Sequence, residues 1–166
     1  GQATESLLAE VAAYCGQRSP FSATLEVAAL GDFLAFTLAE PSADMRLLHE
    51  DCVRRFDHFR APLSDFDLAR RRRARMSAEQ DARLIAFGYP WIFEDFSFHM
   101  TLTGNLPSEA TPPIEAHLQT ALAPFLGPCK IEDFTLCGED AAGHFHQLSR
   151  HPLCGLTRPR NENGEP

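Results

Sequence analysis

The run Phe96-Ser-Phe-His-Met-Thr-Leu-Thr-Gly-Asn-Leu106 sets apolar and polar residues in strict alternation. Successive side chains of a strand point to opposite faces, so Phe96, Phe98, Met100 and Leu102 fall on one face and Ser97, His99, Thr101 and Thr103 on the other. Aromatic and β-branched residues upstream extend the pattern, which predicts one long strand from Trp91 to Leu106 with an apolar core face and a polar face. On the polar face His99 and Thr101 are neighbours, ~6.5–7 Å apart between Cα atoms. A small tetrahedral anion fits between them, with the threonine hydroxyl donating to a phosphoryl oxygen and the imidazole moving a proton near neutral pH. The same spacing also suits a structural pair whose polar groups are satisfied inside the fold, and spacing alone leaves both readings open.

Around this strand the chain reads as helix, hairpin, helices, strand, helix, hairpin. Leu7, Leu8, Val11 and Tyr14 form a helical stripe over Thr4 to Cys15, ended by Gly16. Two strand-like runs from Ala23 to Glu40 flank Gly31-Asp32, an antiparallel hairpin. Ser42 caps a helix that carries Met45, Leu48, Cys52 and Phe56, and after a polar loop and short helix Ser77-x-x-Gln80 opens another that ends near Gly88. Thr111-Pro112 reads as the cap and first residue of a helix stopped by Gly127-Pro128, and "CKIEDFTLCGE" and "GHFHQLSRHPL" are a final strand pair. The order predicts an α+β fold, mainly antiparallel sheet with flanking helices, as a single domain over residues 1–154 with a mobile polar tail over 155–166.

Composition narrows the function classes. At 166 residues with 44% hydrophobic and 23% charged residues the chain is an ordinary soluble domain, and no apolar run nears the ~20 residues of a membrane span. No signal peptide is visible, and five widely spaced cysteines without a C-x-x-C pair read as reduced thiols, which places the protein in the cytoplasm. The net charge of -8 argues against nucleic-acid polymers as partners. Yet nine of the fifteen basic residues lie between Arg54 and Arg83, a window of net +4, and fourteen of the fifteen are arginine. Guanidinium forks match phosphate or carboxylate oxygens, which suits a small anionic ligand.

The segments "FHMTLTG", "FDHFRAPLS", "RRRRARMS" and "GYPWIFEDFSFHMTLTG" together resemble the 2H phosphoesterase superfamily, in its branch associated with phosphonate-utilisation operons. The resemblance runs from about Leu7 to Leu153. It implies a two-lobed α+β fold in which each lobe supplies one H-x-T/S strand to a cleft. Two histidines there act as general base and acid on a cyclic phosphate or phosphodiester, without a metal or other cofactor. His99 would be one acid/base residue and Thr101 one phosphoryl clamp. The first motif, which in this branch resembles "FHATLK", does not occur in the 166 residues, and no other histidine is followed by Thr or Ser two residues on. The sequence is therefore expected to be a truncation or a form lacking half of its catalytic apparatus. A missing strand would leave a sheet edge open to pairing, and so predicts a homodimer.

Arg60 and Arg71 are the arginines expected to bind a second anionic group of a small phosphorylated substrate; Arg70 to Arg73 and Arg75 equally suit a solvated helix face. Tyr89 is a further substrate-binding candidate or a cover of the core. Glu94 and Asp95 either orient His99 or solvate the strand entrance. His144-x-His146 has strand spacing suited to a metal but no evident third ligand, and no metal site is expected. The two leading functions are a phosphoesterase on a small cyclic phosphate and a non-catalytic anion-binding domain.

Overall fold

The computed structural model describes residues 2–155; the polar tail, from residue 156 on, lies outside the described residues. The chain forms two compact units, one from Ala23 to Cys129 and one from the segments on either side. Among the described residues five α-helices, short 3-10 turns and mainly antiparallel sheet make the α+β fold that the element order implies.

In the central unit β1 (Phe21–Leu30) and β2 (Phe33–Leu38) pair from Leu30↔Phe33 to Leu25↔Leu38. Only two residues join them, and Gly31, with φ 63°, stands at the place where a II′ hairpin takes glycine. α2 (Ala43–Phe56) begins where the Ser42 hydroxyl accepts the Met45 N–H at 3.1 Å. α3 (Asp65–Arg71) is capped in the same way by Ser64, and α4 (Ala78–Phe87) by a reciprocal Ser77–Gln80 capping box. α4 stops at Gly88, whose φ of 77° favours glycine and where an added Cβ would lie 3.0 Å from Arg60 Nη1. After β3 (Met100–Thr101) come α5 (Thr111–Ala121) and β4 (Gly127–Ile131), and the sheet order is β3-β2-β1-β4. Leu34, Ala35, Leu84, Val27, Ile92 and Met45 are buried in its core.

The long strand predicted from Trp91 to Leu106 is the main correction. Its ladder is confined to Met100–Thr101, paired with Phe36 and Ala35. Phe93–Asp95 is a 3-10 turn, and Phe93 has φ 58°, a left-handed conformation that no strand can pass through. Packing pulls the chain out of the extended path. Phe93 is buried edge-on against Phe87 at 5.2 Å, with the Arg54 guanidinium 4.3 Å from its ring centre. At the other end the ladder closes on a side chain, since Leu34 O accepts from Leu102 N at 2.9 Å while Leu34 N donates to Thr103 Oγ1 at 3.0 Å. The alternation holds for the polar face, where Ser97, His99 and Thr101 are exposed. It fails for Met100, which is 45% exposed because β3 is an edge strand.

In the other unit α1 (Gln2–Cys15) packs on β6 (Phe145–Pro152), which pairs with β5 (Asp133–Glu139) from Asp133↔Pro152 to Glu139↔Phe145. Val11, Tyr14 and Cys15 are the buried face of α1, and the Tyr14 ring meets Phe134 edge-on at 6.4 Å. Leu153 is buried, and Gly155 N–H donates to Arg18 O at 2.8 Å. The helix begins two residues before the expected Thr4. The strand expected in "CKIEDFTLCGE" is split at Glu132, whose carbonyl accepts the Leu153 N–H. Thr111 is not the cap of α5: Ala110 holds that position and the Thr111 hydroxyl donates back to Pro107 O.

Candidate functional site

His99 follows the Phe93 turn and precedes β3, so its backbone is fixed on one side by a packed aromatic and on the other by two residues of ladder. Its Nδ1 lies 2.8 Å from Ser97 O. A carbonyl only accepts, so Nδ1 carries the proton and the lone pair of the neutral ring sits on Nε2, where a base needs it. The ring stands 5.9 Å from Phe33, tilted by 53°. It borders a cavity of ≈ 460 Å³ lined also by Leu30, His49, Tyr89, Trp91, Ile92, Asp95, Phe96 and Ser97. A second cavity of ≈ 440 Å³ shares Leu30, Phe96 and Ser97 and adds Glu26, Thr37, Glu40 and Arg46. Both volumes lie in the range of small-molecule sites.

The residues expected from the sequence are partly assembled here. His99 and Tyr89 line the same cavity. Tyr89 and Trp91 meet edge-on at 5.5 Å, and the Arg71 guanidinium lies 5.4 Å from the Tyr89 ring centre. The buried Nε of Arg71 has no hydrogen-bond partner among the described residues. Thr101 shares His99's strand face but stands outside the cavity, exposed and opposite Ala35. Arg60 is engaged within the fold. Its Nε donates to Asp57 at 2.9 Å, its Nη2 to Ala86 O at 3.0 Å and its Nη1 to Ala61 O.

Of the two acids before the strand, Asp95 borders the cavity with its carboxylate taken by Arg83 at 2.8 Å and by Gln80 at 3.0 Å, and Glu94 pairs with Arg83 Nη1 at 2.7 Å. Arg83 offsets one of the two negative charges, and these pairs tie α4 to the Phe93 turn.

His49 is the residue that sequence reasoning passed over. It lies on α2 one turn after buried Met45, beside the apolar stripe, and that placement was the only signal in the sequence. Its ring stacks on Phe96 at 3.7 Å and 5°, and Nε2 accepts the Phe93 N–H at 3.1 Å. Burial pushes its pKa below the ordinary histidine value, with Glu50 opposing that shift.

On the β5–β6 hairpin the spaced pair His144 and His146 meets a third group, because both imidazoles turn onto the Asp140 carboxylate, at 3.5 Å and 2.8 Å. The His146 hydrogen bond is the largest cause of a lowered Asp140 pKa. Among the described residues no group of three or more His, Cys, Asp or Glu is placed to hold a metal ion. No described helix is long and apolar enough to cross a membrane.

Comparison with known proteins bears on this geometry. The chain is 36% identical over 160 residues to a protein of Janthinobacterium sp. (strain Marseille) named "Ribose 1,5-bisphosphate phosphokinase PhnN", a match covering 91% of this chain. It spans only 35% of that relative, so the kinase name describes a much longer protein. The one lysine here, Lys130, follows Cys129 and not glycine, so the chain contains no G-x-x-x-x-G-K-S/T phosphate loop. No solved structure matches. The family model described as "Protein of unknown function (DUF1045)" matches residues 1–146, and the chain belongs to that family.

Proposed function

We propose that the protein is a metal-independent phosphoesterase of the 2H type acting on a small cyclic phosphate or related phosphodiester in phosphonate metabolism, with His99 as an acid/base residue. One observation carries this reading: His99 donates from Nδ1 to Ser97 O and stands at a ligand-sized cavity, with its Nε2 lone pair left for a proton. The ring removes a proton from the attacking hydroxyl or water, or, once protonated, gives one to the leaving oxygen. Arg71 and Tyr89 bind a further anionic group at the rim, and Thr101 steadies the phosphoryl group where the ligand extends beyond the cavity. The name of the longer relative, a kinase of a phosphorylated ribose, supports a sugar phosphate as the substrate class.

Turnover of 2',3'-cyclic nucleotides and ribose cyclic phosphates, measured in EDTA, tests the reading. His99→Ala is expected to lower the rate about 10²- to 10⁴-fold. Equal turnover by both proteins rejects the role of His99, and loss of wild-type activity in EDTA moves the chemistry to a metal.

A second reading, a non-catalytic anion-binding domain, is favoured by the partnerless Nε of Arg71 above Tyr89. It predicts saturable phosphate binding without turnover. Pairing of two copies would use the open edge at β3, and sedimentation reads it directly.

A further inference from the structure

His49 and His99 line one cavity but are fixed in opposite senses. The Phe93 N–H is a donor and nothing else, so the His49 Nε2 that receives it at 3.1 Å must be unprotonated. In the neutral ring the proton is then on Nδ1. That N–H has no acceptor among the described residues, although the ring is half-buried, stacked on Phe96 and set edge-on to Phe93. A donor at a cavity wall without a protein acceptor is completed by a ligand oxygen or by water.

We propose that His49 is the second imidazole of the His99 site, a positioning and binding residue whose Nδ1–H donates to an anionic oxygen held between the two rings. This rests on the reading of His99 as a phosphate-handling residue. His49 is not a substitute acid or base: its lone pair is engaged by Phe93, and giving up Nδ1–H would leave an imidazolate. Its second task is mechanical. Phe93 has a left-handed backbone without being glycine, a strained conformation, and the bond from its N–H to His49 holds the turn that precedes His99. The site thus combines one ring that presents a lone pair with one that presents a proton, a complementarity that the H-x-T pattern does not encode.

The test is long-range proton–nitrogen correlation of the histidine rings in ¹⁵N-labelled protein at slightly alkaline pH, followed by titration with inorganic phosphate. The expected result is an Nδ1–H tautomer for His49 and phosphate-dependent shifts of both rings with one shared Kd. His49→Gln, whose Oε1 can still accept the Phe93 N–H, is expected to weaken phosphate about tenfold while leaving the Phe93 amide signal in place. An Nε2–H tautomer overturns the proposal. So does a His49 ring that stays unmoved while phosphate saturates His99, and in that case the reading of His99 survives. If neither ring responds to phosphate, both readings fall together.

Discussion

On β2 the side chains of Leu34 and Ala35 are completely buried, whereas on β6 Phe145 and Leu148 are 72% and 57% exposed. β2 is apolar at five of its six positions and lies inside a four-stranded sheet, whereas β6 carries only Phe145 and Leu148 as large apolar residues and lies in a two-stranded ribbon. Histidines of the two units, His49 on α2 and His146 on β6, differ in their surroundings too. Around His49, apolar rings disfavour the charged form, and around His146 a carboxylate accepts the ring N–H. The lesson is that surroundings decide what an imidazole can do. The regularly spaced pair His144 and His146 is spent on its own turn, while the unspaced His49 and His99 converge on a cavity.

The sharpest way to break this comparison is Leu34→Ala. It should cost about 2–5 kcal/mol in urea unfolding, whereas Leu148→Ala should stay within about 0.5 kcal/mol; equal losses would mean that the two sheets bury their residues alike. Next in size is Gly155→Ala, because a Cβ there would lie 2.6 Å from the backbone carbon of Gln17. Backbone yields less than a side chain, so a loss of about 1–3 kcal/mol is expected, with Phe134 and Tyr14 signals moving and those of Leu34 unchanged.

A smaller effect separates the histidines by pH. His49 binds its proton less readily folded than unfolded, with burial as the main cause. Its contribution is therefore complete above the ordinary histidine value of 6.5 and is lost as pH falls from there through the lower folded value. The groups around it are Glu50 on its own helix, Arg54 over the neighbouring Phe93 ring, and Asp95, Tyr89 and His99 around the cavity. Stability measured from pH 7.5 to 5 should decline in wild type and decline less in His49→Gln; a steeper decline in the variant would reverse the assignment. The smallest signal is Asp140, whose carboxylate carbon should titrate below the usual aspartate range, with Asp140→Asn leaving His99 untouched.

Much of the architecture could be read from the sequence because caps and turns are local. Ser42, Ser77, Gly31 and Gly88 each act within a few residues, and the capping hydroxyls of Ser42 and Ser77 find a backbone N–H three residues on. The strand from Trp91 was overread because period-2 alternation persists through a segment that packing bends. Nothing local announces that Phe93 will take a left-handed backbone, since its partners Arg54, Phe87 and His49 come from two other helices. The polar face of His99 and Thr101 was legible for the same reason that β3 is short: it needs only two residues of pairing. His49 was illegible because a histidine beside an apolar stripe is usually core, and its meaning depends on a backbone N–H 44 positions away.

The brevity of β3 also shapes the timing of hydrogen exchange. Leu102 N–H is bonded to Leu34 O, so alternation along an antiparallel pair turns Met100 N–H inward and Thr101 N–H out to the free edge. In deuterium oxide the Thr101 amide should be among the first to exchange, while Leu102 waits for the sheet to open. An amide clock thus lies two residues from the imidazole of His99, and a ligand or second chain seated on that edge would slow Thr101 before it changed anything else.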